Sequence, residues 1–231
     1  MEVVTNTRSA NNPQRSSTAA TWLLVLTCLA LFPVGLRDPT LSCSYDQVFI
    51  YARWWTVVTA LFMHGNIGHL LGNMLFLFLF GRGLERYIGS SGLLAVFLIG
   101  GIISMFISIF YYPHNMPSVG ASGAISAILA TLMLFNPWKT SFLLNLFPMP
   151  LGVAGFTFLL LNVAGFFRDR YTQPHGGLQV AYLAHLIGFV AGVIFGIILT
   201  PDWKKNLLLC LLQFACYYLL LLLILHYIHY L

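Results

Sequence analysis

An all-α, polytopic membrane fold follows from how little charge this chain carries and where that charge lies. Hydrophobic residues make up 59% of the 231 positions and charged residues only 7%, with a mean hydropathy of +0.85, whereas soluble domains carry roughly 25% charged residues. The apolar residues gather into seven runs. The six carboxylates, Glu2, Asp38, Asp46, Glu85, Asp169 and Asp202, all fall outside the middle of those runs. The formal charge of +5 forms no block of like charges, which argues against nucleic acid as a partner and for basic residues in the short loops of a membrane protein.

Taken in order, residues 1–20 are polar and rich in Ser, Thr and Asn, and read as a flexible cytoplasmic tail. The first apolar run, about Thr21 to Leu36, lacks a convincing small-residue cleavage pattern and is read as a retained helix. Further runs follow at about Val57 to Phe80, Leu93 to Tyr112, Gly123 to Phe135, Phe142 to Phe167, Val180 to Thr200 and Leu207 to Leu231. The fourth falls short of the ~20 residues a spanning helix needs, so it begins below the membrane surface or beside a water-filled cavity. Residues 21–200 would form a six-helix domain, 201–206 a linker, and 207–231 an additional transmembrane helix.

Loop charge sets the expected orientation. A cytoplasmic N-terminus places Arg8, Arg15, Arg82, Arg86, Lys139, Lys204 and Lys205 inside, against Arg37, Arg53, Arg168 and Arg170 outside. The start of the fourth run then opens to the outer face of what is expected to be the cell membrane. The connection from Arg37 to Thr56, with Tyr51, Trp54 and Trp55, reads as a loop lying partly in the outer leaflet.

Chemistry concentrates at three places. Gly120-Ala121-Ser122-Gly123 sets a serine at a helix start, beside backbone N–H groups that lack intrahelical partners. His185 lies in the sixth run, where an ionisable side chain points to function. Steps of four from Ser122 reach Ser126 and Ala130, and His185 shares a face with Gly188, Gly192 and Gly196. Docking of these two small-residue stripes would bring hydroxyl and imidazole together, although Gly100, Gly101 and Ser104 offer another small face. The third place is His64 to Asn73, where His69 and Asn73 are four apart and so share a helical face. Histidine, asparagine and backbone N–H groups stabilise an oxyanion in a water-poor site.

Other readings of these residues are ordinary. A serine at a helix start is commonly a cap, a membrane-embedded histidine can bond a carbonyl, and Asn73 can act as interhelical glue. His64 and His69 lack the H-E-x-x-H pattern and a nearby carboxylate or cysteine, so no metal is expected. Cys28, Cys210 and Cys216 lie in apolar runs and Cys43 in a connection, which indicates neither a disulfide framework nor a Cys-based metal site. His175, His226 and His229 read as interface residues, and Phe76, Phe78 and Phe80 as packing or lipid-facing surface.

The order H-G-N-I-G-H-L-L-G-N (His64 to Asn73), G-L-E-R (Gly83 to Arg86), G-A-S-G (Gly120 to Gly123) and A-H-L-I-G-F-V-A-G (Ala184 to Gly192) resembles the rhomboid intramembrane serine proteases. The resemblance implies Ser122 as nucleophile and His185 as general base. It implies an oxyanion hole of His69, Asn73 and the Ser122 N–H, with His64 structural, Glu85 a cytoplasmic-loop contact, and Gly120, Gly123 and Gly188 supporting. It further implies transmembrane protein substrates cut near their outer ends, a lateral gate around the fifth span, and no cofactor. Two departures stand out: Trp55 is followed by Thr56 where rhomboids commonly have arginine, and Ser126 stands where an aromatic often stacks on the base. A non-catalytic client-binding relative would lack the Ser122/His185 pair, and a small-molecule transporter would show inverted repeats or intramembrane acids.

Overall fold

In the computed structural model, residues 18–141, 149–172 and 182–229 are described. The tail before residue 18, the starts of the fifth and sixth apolar runs, His175 and the last two residues lie outside them.

Helix α1 (Ala19–Arg37) has no cap from its own Thr18. Glu85 supplies one from a distant segment, accepting from Ala20 N at 2.9 Å, Thr21 N at 3.0 Å and Thr21 Oγ1 at 2.6 Å. A carboxylate there satisfies open N–H groups and complements the helix dipole.

The connection after α1 is built of short turns. A 3₁₀ turn at Pro39–Leu41 is capped by Asp38, a π turn covers Asp46–Ile50, and α2 spans Thr56–Thr59. Backbone bonds pair Cys43 with Ser118 at 3.0 and 2.7 Å, and Tyr45 stacks on His114 with centroids 4.0 Å apart. Arg53 Nη1 donates to Gln47 Oε1 at 3.2 Å, tying the loop across itself despite Thr56 at the position where rhomboids commonly have arginine. Phe49, Ile50, Tyr51, Trp54 and Trp55 remain exposed, as suits a segment in the bilayer interface.

The second spanning helix does not start at Val57, as the apolar run implied; only the short α2 forms there. The spanning helix starts at Ile67, because Asn66 is extended (φ −160°, ψ 169°) and its side chain accepts from His69 N at 2.8 Å. Helix α3 (Ile67–Ser108) has 42 residues, about 63 Å at 1.5 Å per residue and twice the ~30 Å bilayer core. Gly89, with φ 72° and ψ 174°, breaks it. Both ends lie at the start of α4 (Ser122–Phe135), where His69 meets Gly120 and Ser104 meets Gly123. Gly83, near the break, meets Leu132 and Lys139 at the far end of α4. The two halves are therefore antiparallel and account for the second and third expected spans.

Helix α4 is the central post. Every residue from Gly123 to Phe135 is buried, and its 14 residues extend only about 21 Å. Glycines let its neighbours close in: Gly100 and Gly101 of α3 face Ala127 and Ala124. On the other side stands α6 (Tyr182–Leu199), whose Gly188, Gly192 and Gly196 face Gly123, Ala127 and Leu134. Thr131 Oγ1 lies 2.8 Å from Ala127 O and 2.9 Å from Gly192 O, adding a polar tie across this seam. The expected partner of the α6 stripe was Ser122/Ser126/Ala130. The seam lies one residue round α4, at Gly123 and Ala127, because those positions let backbone touch backbone where a serine side chain would intervene.

The fifth run was expected to be helical from Phe142, and its residues 142–148 lie outside the described ones. At Met149–Pro150 it is strand and not helix: β1 (Thr140–Ser141) pairs antiparallel with β2 (Met149–Pro150), and α5 spans Leu151–Thr172. Pro150 accounts for this local difference, since it cannot supply a helical N–H and disfavours helix in the residue before it. After Pro201, α7 (Trp203–His229) begins four residues before the expected Leu207. Asn206 Nδ2 donates to Leu134 O at 2.6 Å and Cys210 Sγ to Met133 O at 3.7 Å. These carbonyls belong to the last turn of α4, which a helix otherwise leaves open. Among the described residues, five helices are long and apolar enough to cross a bilayer, one of them the doubled α3, with α4 shorter. The chain is a multi-pass membrane protein.

Candidate active site

Ser122 is half-buried at the first position of α4. The turn that delivers it depends on Gly120, with φ 121°, a conformation side chains disfavour. Gly120 N donates to Ala60 O at 2.8 Å. A Cβ at Gly120 would fall 2.8 Å from both Cε1 and Nε2 of His69, so the missing side chain also allows the imidazole to lie against the loop.

His69 and Asn73 sit one turn apart on α3. Asn73 Nδ2 donates to His69 O at 2.8 Å, which fixes the amide and leaves its second hydrogen for another acceptor. The His64 and His69 rings meet edge to face, centroids 5.2 Å apart. His64 is buried, with Nδ1 placed 3.2 Å from Phe62 O and Nε2 without a protein partner. Burial, then the neighbouring His69, holds the His64 imidazole below its ordinary pKa, so it stays neutral near pH 7. Among the described residues, no cluster of three His, Cys, Asp or Glu suited to a metal forms.

His185 is half-buried on the second turn of α6. Its Nδ1 lies 2.7 Å from Oδ1 of Asn162 on α5, and the Phe158 ring lies 6.0 Å away at 37°. Asn162 stands outside every motif singled out in the sequence. A polar residue in the middle of an apolar helix was the available signal.

Ser122, His185, His69, Asn73 and His64 line one cavity of about 890 Å³, walled on its apolar side by Phe76, Phe80, Leu129 and Phe158. Ser122 and His185 face the same space but are not hydrogen-bonded to each other; Ser126 Oγ donates instead to Ser122 O at 2.7 Å. Catalytic hydrogen bonds are often long before substrate binds. Gly123 and Gly188 meet in the α4–α6 seam, where a Cβ on Gly188 would overlap Gly123 O. Glu85 does not reach the cavity. It caps α1 about 18 Å along α3 from Asn73 and also accepts from Ser90 Oγ at 2.6 Å.

A model of the rhomboid domain matches residues 51–202. The chain is 28% identical to Rhomboid-like protein 11, chloroplastic, of Arabidopsis thaliana over 79% of its own length and 65% of that protein. It is 28% identical to Rhomboid protease GlpG of Haemophilus influenzae over 81% of its length and 94% of that protein. Identity rises to 35% with Rhomboid protease GluP of Bacillus subtilis, over 38% of this chain and 17% of that protein. The chain thus spans less than two thirds of the length of several curated relatives.

Proposed function

The chain belongs to the rhomboid family, and from that premise we propose that it is an intramembrane serine endopeptidase in which Ser122 is the nucleophile and His185 the general base. One observation carries the reading: side chains from α3, α4 and α6, each of a type the chemistry needs, converge on a single cavity in a lipid-embedded fold.

In the proposed reaction, Ser122 Oγ attacks the carbonyl carbon of a transmembrane segment whose helix has opened at small or helix-breaking residues. Its proton passes to His185 Nε2. The negative oxygen that forms is held by the Ser122 N–H at the open end of α4, by His69 and by the free hydrogen of Asn73. Collapse expels the amine, which takes the proton from His185 and leaves an acyl-enzyme. Water, deprotonated by the same imidazole, then hydrolyses the ester. The short α4 supports water access, since its first residue starts below the level a full-length span would reach. We place this opening at the outer face of the membrane, with the N-terminus cytoplasmic and the substrates other membrane proteins.

The test is cleavage of a single-span segment, carrying small residues near its outer end, by the full chain in proteoliposomes. Wild type should cleave and Ser122→Ala should not, while retaining the same thermal unfolding midpoint. Cleavage by purified Ser122→Ala would refute the assignment. Capture of the segment without cleavage by wild type would favour a client-binding protein.

A further inference from the structure

We infer that Asn162 on α5 is the positioning residue for His185, fixing which nitrogen of the imidazole carries the proton and tying the base to the helix beside the cavity. The inference rests on the reading of Ser122 and His185 as nucleophile and base, and adds the group that orients the base.

Two hydrogen bonds determine the geometry. Asn162 Nδ2 donates to Phe158 O, one turn back on α5, at 2.8 Å. That bond fixes which way the amide faces, so its oxygen, an acceptor only, is the atom presented to His185 Nδ1 at 2.7 Å. Nδ1 must therefore hold the hydrogen. In the neutral ring Nε2 is then left with its lone pair free, as a base accepting the Ser122 proton requires. Asn162 is 6% exposed, so water competes little for this bond. The Phe158 ring, tilted 37° to the imidazole, packs beside it and is stacked in turn on Phe189, centroids 6.3 Å apart. One turn of α5 thus supplies both a polar and an apolar contact to the base, where Ser126 stands in place of an aromatic.

The titratable groups lining the cavity with His185 are His64 and His69 from the α3 side and Tyr112 from the connection before α4; among the described residues, no carboxylate does.

The first measurement leaves Asn162 unchanged. In the full chain carrying ¹⁵N-histidine, the His185 resonance, assigned by its loss in His185→Ala, should report an Nδ1–H tautomer at neutral pH. An Nε2–H tautomer would overturn the inference. The second is the rate at which a fluorophosphonate labels Ser122, a reaction in which Oγ displaces fluoride from phosphorus and its proton passes to Nε2. Asn162→Ala should label about 10- to 100-fold more slowly at saturating probe, with the half-saturating concentration little changed. Asn162→Asp should recover much of the rate but move the acid limb of the pH profile upward, because a carboxylate on Nδ1 stabilises the imidazolium. Wild-type rates and an unmoved acid limb in both variants would overturn the role of Asn162 while leaving the Ser122/His185 reading intact. Labelling that persists in Ser122→Ala would instead overturn that reading.

Discussion

α6 is gripped from two sides by contacts of different kinds. Toward α4, beside the site, the obstacles are main chain: a Cβ on Gly188 would run into Gly123 O, and one on Gly192 into Ala127 O, while only Gly196 farther along meets a side chain, that of Leu134. Toward α5 they are side chains, with the Tyr182 ring against Gly165, Phe158 against Phe189, and Asn162 against His185. Backbone contacts between close-packed helices have no rotamers to yield, whereas side-chain contacts can be remade. The distance between the helices bearing Ser122 and His185 is thus set rigidly, and the orientation of the imidazole is set by contacts that can open.

α5 has a rigid side of its own, turned away from the site. Gly152 lies so near α7 that a Cβ would fall 2.8 Å from Cys210 Cα, and Phe156 meets Phe214 with centroids 5.6 Å apart. The seventh helix, whose role the sequence did not disclose, both caps the last carbonyls of α4 and backs α5.

Single substitutions put this contrast to the test. The largest effect is expected for Gly188→Ala, where the methyl must push α6 off Gly123 O. Turnover should fall more than ~100-fold and the thermal midpoint should drop, in keeping with ~1–3 kcal/mol or more for overpacking a site that cannot relax. Wild-type turnover would mean the seam is softer than it looks. Gly120→Ala comes next, since it strains the turn and presses on His69; a loss of about 10- to 100-fold in turnover is expected with ~1–3 kcal/mol of destabilisation. Glu85→Gln lies outside both contacts and serves as the control. It should cost roughly 1.5–3 kcal/mol through weakened hydrogen bonds to the start of α1, measured by thermal unfolding, with turnover per folded molecule unchanged. Gly155→Ala should be the mildest, because the nearest atom to its new Cβ, 2.5 Å away, is the Sδ of Met133, the end of a flexible side chain. Stability within about 1 kcal/mol of wild type and turnover within about threefold are expected.

Much of this arrangement was legible in the residues. Apolar runs marked the helices, the fourth run matched the short α4, and the glycine stripe of α6 marked a close partner. The stripe did not say which face of α4 it meets, because Ser122/Ser126/Ala130 and Gly123/Ala127 are both small and differ by about 100° of rotation. Helix starts were misplaced where hydropathy outran backbone chemistry: Val57 to Met63 is apolar but forms only the end of short α2 and further turns before α3 begins, and Pro150 stands immediately before α5. Asn162 was hidden for another reason. Its importance arises from a neighbour 23 positions away on another helix, and no spacing rule within one segment can express that.

On the proposed reading, the α4–α6 seam presents Ser122 to substrate with His185 behind it and the His69/Asn73 turn in front. A structure of the full chain reacted with a fluorophosphonate decides whether it does. Expected are phosphorus bonded to Ser122 Oγ, the phosphoryl oxygen about 2.7–3.1 Å from Ser122 N and from donors on His69 and Asn73, and His185 Nε2 beside the Ser122 ester oxygen. An adduct on another residue, or a phosphoryl oxygen turned away from all three donors, would contradict it.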